Sequence, residues 1–232
     1  MYNSENKCMI KLIIFDWDDV FTLGSKEGYF ACYHKAINAV GIHLSPKEEH
    51  KRILAKWSKS FREELKELLK EHPELVDKAC EVYDKEYWGN TFVSKLTFLP
   101  GTNDLLNCLS KKYILAIATG STRKMLKERI IPRFNIPDVF SQIITSHDIE
   151  DQEMTKPHPY MLETIMNTQR VSPDETVFIG DAKTDVQMAH NAHVTPIVVL
   201  TGHLNRKEAE GLGVKHIIPD VTHLEAVLSE QI

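Results

Sequence analysis

Ile10-Lys11-Leu12-Ile13-Ile14-Phe15-Asp16-Trp17-Asp18-Asp19-Val20-Phe21-Thr22 is the stretch on which the reading of the chain turns. Its apolar run, Leu12 to Phe15, stops at Asp16, and Asp18 and Asp19 follow at once. A continuous apolar run of about four to eight residues fits a strand buried on both faces of a parallel sheet. Ligands of such sheets bind in the crevice beyond the carboxyl ends of the strands. Acids crowded at that point raise one another's pKa, because each opposes ionisation of the next. A bound cation is the simplest way to keep them ionised together, and an oxygen-only ligand set favours a hard ion such as Mg²⁺. Taken alone, the same acids would serve equally well as a turn cap, so the rest of the chain has to decide.

The chain has 232 residues, 42% of them hydrophobic, enough to bury a core in one or two domains. A net charge of −5 argues against a broad nucleic-acid-binding face. Cys8, Cys32, Cys80 and Cys108 are widely spaced and form no Cys-x-x-Cys pair, as expected of free thiols in a reducing compartment. No apolar run approaches the ~18 residues of a membrane span. The polar stretch from Met1 to Lys7 lacks a signal-peptide core. These features predict a soluble cytoplasmic protein with neither a membrane nor a nucleic acid as partner. They leave the oligomeric state open.

Working outward from the first strand, residues 26 to 93 read as helix throughout. Tyr29, Tyr33, Ala36, Ile37 and Val40 form one apolar stripe, ended by Gly41. Ser45-Pro46 opens the next helix as N-cap and first turn. Phe61, Leu65, Leu68 and Leu69 continue at helical spacing until His72-Pro73, and a last stripe from Leu75 to Tyr83 ends near Gly89. Beyond Pro100-Gly101 helices alternate with short apolar strands at 113–118, 142–145, 176–179, 196–200 and 216–218. The helices of this part are expected at 102–111, 121–129, 158–169, 184–192 and 222–229. This alternation predicts an α/β core, a Rossmann-like parallel sheet with helices on both faces. Residues 1–24 and 95–232 make up that discontinuous core, and residues 25–94 a helical domain inserted after the first strand.

Three of the predicted strands end in polar chemistry: Asp16-x-Asp18, Thr119-Gly120-Ser121 and Gly180-Asp181-x-x-x-Asp185. Lys156, in Thr155-Lys156-Pro157-His158-Pro159, lies between the second and third. Parallel strands bring these ends to one edge. The inventory suits phosphoryl transfer from a monoester, in which a carboxylate nucleophile and a phosphate dianion must be neutralised to meet. Asp16 is the expected nucleophile, forming a phospho-aspartate. Asp18 is the expected acid toward the leaving alcohol and base toward water. Thr119 and the amide of Gly120 are expected to hold phosphate oxygens, and Lys156 to offset charge. Asp16, Asp181 and the backbone carbonyl of Asp18 are expected to hold Mg²⁺. Asp185, one helical turn beyond Asp181, reaches the same ion or its waters.

These four motifs, in this order, resemble those of the haloacid dehalogenase-like hydrolase superfamily over essentially the whole chain. The helical insertion after the first motif is similar to the type-1 cap of its phosphoglycolate phosphatase and β-phosphoglucomutase members. Phe98-Leu99-Pro100-Gly101 is similar to that family's return into the core. The resemblance implies the same roles for the matching residues and a small phosphorylated metabolite as substrate. It also implies that an acid at Asp18 marks phosphate chemistry rather than dehalogenation. The stretch from Ala55 to Arg62 lacks the Arg-rich pattern expected of a sugar-phosphate mutase cap, so a hydrolase ranks above a phosphomutase. A catalytically silent binding protein on the same fold is the third reading.

The chain departs from the family pattern at several positions. Asp19 stands where Gly is usual, a change the turn should survive because Asp tolerates unusual backbone angles. Thr155 replaces the Gly before Lys156, Gly24 interrupts the cap-entry segment, and His193 stands where a Gly commonly follows the fourth-motif helix. The acids Glu150, Asp151 and Glu153 read as a solvated loop. His190 and His193 read as surface residues rather than zinc ligands. Lys56, Lys59 and Arg62 read as a solvated helix face, as do Lys124, Lys127, Arg129 and Arg133. Trp57 reads as a core aromatic of the inserted domain. There is no P-loop and no G-x-G-x-x-G.

Overall fold

A computed structural model describes residues 9–56 and 60–229. The chain divides into two compact units, Met1–Leu23 with Phe98–Ile232, and Gly24–Thr97. Trp57 and Lys59 fall outside the described residues.

The first unit is built on β1 (Leu12–Phe15), whose four side chains are fully buried. It lies between β4 (Ile114–Thr119) and β6 (Thr176–Gly180), pairing with both in parallel. Outside these, β5 (Phe140–Thr145) pairs with β4, and β7 (Thr195–Val199) and β8 (His216–Ile218) extend the other side. All six strands are parallel, in the order β5-β4-β1-β6-β7-β8. The short strands β2 (Thr22–Leu23) and β3 (Thr97–Phe98), where the chain leaves for the second unit and returns, form a two-stranded sheet.

Strand order moves outward in one direction through β4 and β5, then reverses through β6, β7 and β8. With right-handed crossovers, connections running in opposite directions cover opposite faces. The helices α9 (Tyr160–Gln169) and α10 (Lys183–Asn191) lie on the rightward connections and share one face. There Leu12, Ile14, Ala116, Ala118 and Phe178 pack against Met161, Leu162 and Ile165 of α9 and Met188 and Ala189 of α10. Ile13 and Phe15 point to the other face by the two-residue alternation of a strand, and Phe15 meets Phe21 at 4.9 Å between ring centroids. The reversal occurs at β1, so its carboxyl end is a topological switch point, the place where open α/β sheets bind ligands.

Helix α6 (Thr102–Leu109) leads into β4. The segment after β4 runs further than its basic stretch predicts. Thr122 caps α7 (Arg123–Met125), a π-helical turn follows over Leu126–Ile130, and α8 (Ile131–Phe134) completes it. Pro132 has no N–H to give, and it sits in the first turn of α8, where none is needed. A further helix, α11 (Arg206–Gly211), lies between β7 and β8, and α12 (Leu224–Ser229) ends the described chain. Among the described residues no helix is long and apolar enough to cross a membrane.

The second unit is helical. It comprises α1 (Ser25–Ala39), α2 (Pro46–Ala55), α3 (Phe61–Leu68), α4 (Val76–Trp88) and α5 (Thr91–Lys95). Ser45 and Ser60 cap α2 and α3, each accepting the backbone N–H three residues on. Its core is rich in aromatic rings: Tyr33 lies against Tyr83 at 4.6 Å and Tyr29 meets Phe92 at 4.7 Å, while the exposed Phe61 stacks on Tyr83 at 4.9 Å. Glu64 is buried among these rings and accepts a hydrogen bond from the Tyr33 hydroxyl.

Candidate active site

Asp16 is the first residue past β1, and its N–H is still held in the sheet by the carbonyl of Ile179 at 2.8 Å. Thr119 ends β4 and Gly180 ends β6, the two neighbours of β1. Sheet register alone therefore brings the first, second and fourth sequence motifs side by side. Lys156 comes from the loop ahead of α9, and its peptide bond to Pro157 is cis.

The side chains converge. Lys156 Nζ lies 2.9 Å from Asp16 Oδ1 and 2.8 Å from Asp185 Oδ1. It also lies over the Phe178 ring, 5.5 Å from the centroid. Carboxylate oxygens of Asp16, Asp181 and Asp185 all fall within 4.8 Å of one another. All three residues are buried. The second oxygen of Asp185 accepts the N–H groups of Asp181 at 3.1 Å and Ala182 at 3.0 Å, closing the first turn of α10. That geometry explains Gly180: a Cβ there would lie 2.5 Å from the Asp185 Cβ.

Burial dominates the electrostatics of the cluster. Burial raises the Asp16 carboxyl above its ordinary range, Lys156 opposes the rise and Asp185 adds to it. Asp181 is pushed well up by burial, then by Asp185 and Asp16. Burial works to lower the Lys156 ammonium, but Asp16 and Asp185 outweigh it and the group stays firmly charged. Asp18 is half-buried, with its carboxylate outside the triad, and is pushed up to about 8 by burial and by the charges of Asp16 and Asp19.

The remaining motif residues occupy the same edge. Thr119 is fully buried, and its Oγ1 accepts the Ser121 N–H at 3.1 Å. Gly120 is exposed, with open space where a side chain would project. The Ser121 hydroxyl is buried and has no hydrogen-bond partner. A groove of about 630 Å³ lies elsewhere in this unit, along β5, lined by Arg123, Lys127 and Phe140 among others, and holds none of the motif residues.

A family model of haloacid dehalogenase-like hydrolases matches residues 10–193, from the first motif through α10. The chain belongs to that family. Among its relatives, a phosphoglycolate phosphatase of Pasteurella multocida is 25% identical over 118 residues, 50% of this chain and 51% of the relative. The chain thus spans about half the length of the first curated relatives it matches. A phosphorylated carbohydrates phosphatase of Thermotoga maritima is 23% identical over 201 residues, 86% of this chain and 89% of that one. The crystal structure of a subfamily IA hydrolase from Geobacter sulfurreducens superposes with a TM-score of 0.73 at 23% identity, covering 97% of this chain and 99% of the other. It shares the fold.

Two departures from the family pattern have a backbone explanation. Asp19 has φ 56° and His193 φ 57°, both in the left-handed region that Gly enters freely. The Asp19 turn is held by its own N–H on the Thr22 carbonyl at 2.7 Å and by the Thr201 hydroxyl on its carbonyl. The sequence reading gave no role to Thr201, Gly202 and His203. The His203 N–H donates to Asp181 Oδ2 at 2.9 Å, and Gly202 passes so close to that carboxylate that any Cβ would collide with it. The available signal was Thr201-Gly202 at the end of β7, the same strand ending as Thr119-Gly120.

Proposed function

We propose that this hydrolase is a Mg²⁺-dependent phosphatase of small phosphate monoesters, working through a phospho-aspartate at Asp16. The observation that carries the reading is the placement of Lys156 between Asp16 and Asp185, with Asp181 within the same 4.8 Å group. Carboxylates this close and this buried need positive charge, and an all-oxygen group suits Mg²⁺. Asp16, Asp181 and the Asp18 backbone carbonyl would hold that ion, with Asp185 reaching it or its waters, and it would supply charge neutralisation for the phosphoryl group.

The chain's own residues do the rest. An Asp16 carboxylate oxygen attacks phosphorus while the bond from phosphorus to the leaving oxygen breaks. Asp18, protonated near neutral pH, gives its proton to the departing alkoxide. It then takes a proton from the water that attacks the phospho-aspartate, releasing inorganic phosphate and restoring Asp16. The Thr119 hydroxyl and the Gly120 N–H hold phosphate oxygens, and Lys156 offsets charge on Asp16 and the incoming phosphate. We read the helical unit as a cap that selects the substrate. The relatives named for phosphoglycolate and phosphorylated carbohydrates support a small phosphorylated metabolite as that substrate. The free thiols Cys32, Cys80 and Cys108 support a cytoplasmic setting.

The deciding experiment is phosphate release from an aryl phosphate with Mg²⁺ and with chelator, wild type against Asp16→Asn. Metal-dependent release that disappears in the variant is expected. Release that persists in Asp16→Asn would remove the phospho-aspartate mechanism.

A further inference from the structure

We propose that Asp19, Asp181 and His203 form a second divalent-cation site, of the Zn²⁺ class, beside the carboxylate triad. One ligand atom from each lies within 4.8 Å of the other two. The three come from separate segments: the turn after β1, the end of β6 and the loop after β7. Asp181 is common to this group and to the triad with Asp16 and Asp185. The two positions are therefore neighbours, sharing one carboxylate.

The donor sets differ in kind. The triad offers oxygen alone, the preference of Mg²⁺. The second group adds an imidazole, which Mg²⁺ passes over and Zn²⁺ takes readily alongside Asp oxygens. Asp19 and Asp181 are buried while His203 is exposed, which gives an ion a route in and leaves positions for water. Charge points the same way. Asp16, Asp18, Asp19, Asp181 and Asp185 crowd one strand edge, and Lys156 is committed to Asp16 and Asp185. His203 lies outside the four motifs as read from the sequence, and Asp19 stands within the first at a place where Gly is usual. The inference concerns binding and does not depend on the phosphatase reading.

The test is calorimetric titration of the chelator-stripped chain with Zn²⁺ under excess Mg²⁺, alongside side-chain ¹⁵N spectra of its histidines. Wild type should keep one Zn²⁺ that Mg²⁺ does not displace, with the His203 ring nitrogens shifting. His203→Gln, an exposed loop change, should weaken that Zn²⁺ by at least about tenfold. Asp19→Asn, which tolerates the same left-handed backbone, should weaken it as well. Equal Zn²⁺ binding in wild type and both variants would assign the ion to other histidines and overturn the proposal. Complete displacement by Mg²⁺ would overturn it too, by confining the ion to the triad. Failure of phosphate release with Zn²⁺ binding intact would sink the phosphatase reading and leave this site standing.

Discussion

Asp185 grips Lys156 with one carboxylate oxygen, at 2.8 Å, and caps its own helix with the other. Removing it leaves the N–H groups of Asp181 and Ala182 unmet and Lys156 with Asp16 alone. Asp185→Ala should destabilise the chain by roughly 3–5 kcal/mol, from two buried donors left unsatisfied and one buried ion pair lost. Asp185→Asn keeps a cap acceptor and should cost less, about 1–3 kcal/mol. Urea denaturation gives the order directly. Equal losses would show that the ion pair contributes nothing.

Gly180→Ala tests the same relationship from the backbone. The new methyl would lie 2.5 Å from the Asp185 Cβ and 2.6 Å from its carboxyl carbon. Asp185 must move, and overpacking of this kind costs about 1–3 kcal/mol. Phosphate release should fall along with stability, because Lys156 loses one of the two carboxylates that position it. A variant as active as wild type would mean that Lys156 is positioned without Asp185.

Asp18 lends itself to a comparison of leaving groups. A departing alkoxide needs its proton, whereas an acidic phenolate leaves unaided. Asp18→Asn should lower kcat on an alkyl phosphate by about 10²–10⁴, and far less on a nitrophenyl phosphate. With its pKa near 8, wild-type turnover of the alkyl ester should also decline as pH rises through that value, since the acid must be protonated to act. Equal losses on both esters would remove Asp18 from the proton-transfer role.

Glu64 predicts a pH dependence of stability in the helical unit. Burial pushes its carboxyl from 4.5 to about 8. Between those values the folded chain holds a proton that the unfolded chain has released. The folded state therefore binds more protons, and stability falls as pH rises from about 4.5 to about 8. Glu64→Gln removes that component. The variant should match wild type near pH 4 and exceed it at pH 8.5 by roughly 1–4 kcal/mol, read from urea midpoints. An unchanged pH slope would mean that Glu64 is ionised in the folded chain.

Much of the α/β unit was readable because each strand carries its own boundary marks. Leu12–Phe15 is uniformly apolar and ends in acid; Thr119-Gly120 and Gly180-Asp181 punctuate β4 and β6. The helix α11 was missed because Arg206 to Gly211 shows no apolar stripe and buries only Ala209. Its signature was instead the reciprocal cap between Asn205 and Glu208. The extension past Arg129 was hidden by Pro132, which reads as a helix breaker until the π-helical turn restarts the helix around it. The Thr201-Gly202-His203 contact with Asp181 spans about twenty residues and leaves no local periodicity to detect. Asp19 and His193 could be seen to depart from a pattern, but only φ shows that each occupies a glycine-like conformation.

The uniformity of β1 leaves it without an internal ruler. Leu12, Ile13, Ile14 and Phe15 are equally buried, so sliding the strand by two residues would keep every side chain on its own face. Such a slide would carry Asp16 about 6.6 Å along the sheet, far beyond the 2.9 Å that separates it from Lys156. Asp16 is therefore also the alignment mark of the central strand. A slipped chain would bury that charge with no ammonium to meet it, and the penalty discards the misaligned pairing. On the proposed mechanism, the carboxylate that attacks phosphorus and the one that aligns the sheet are the same residue.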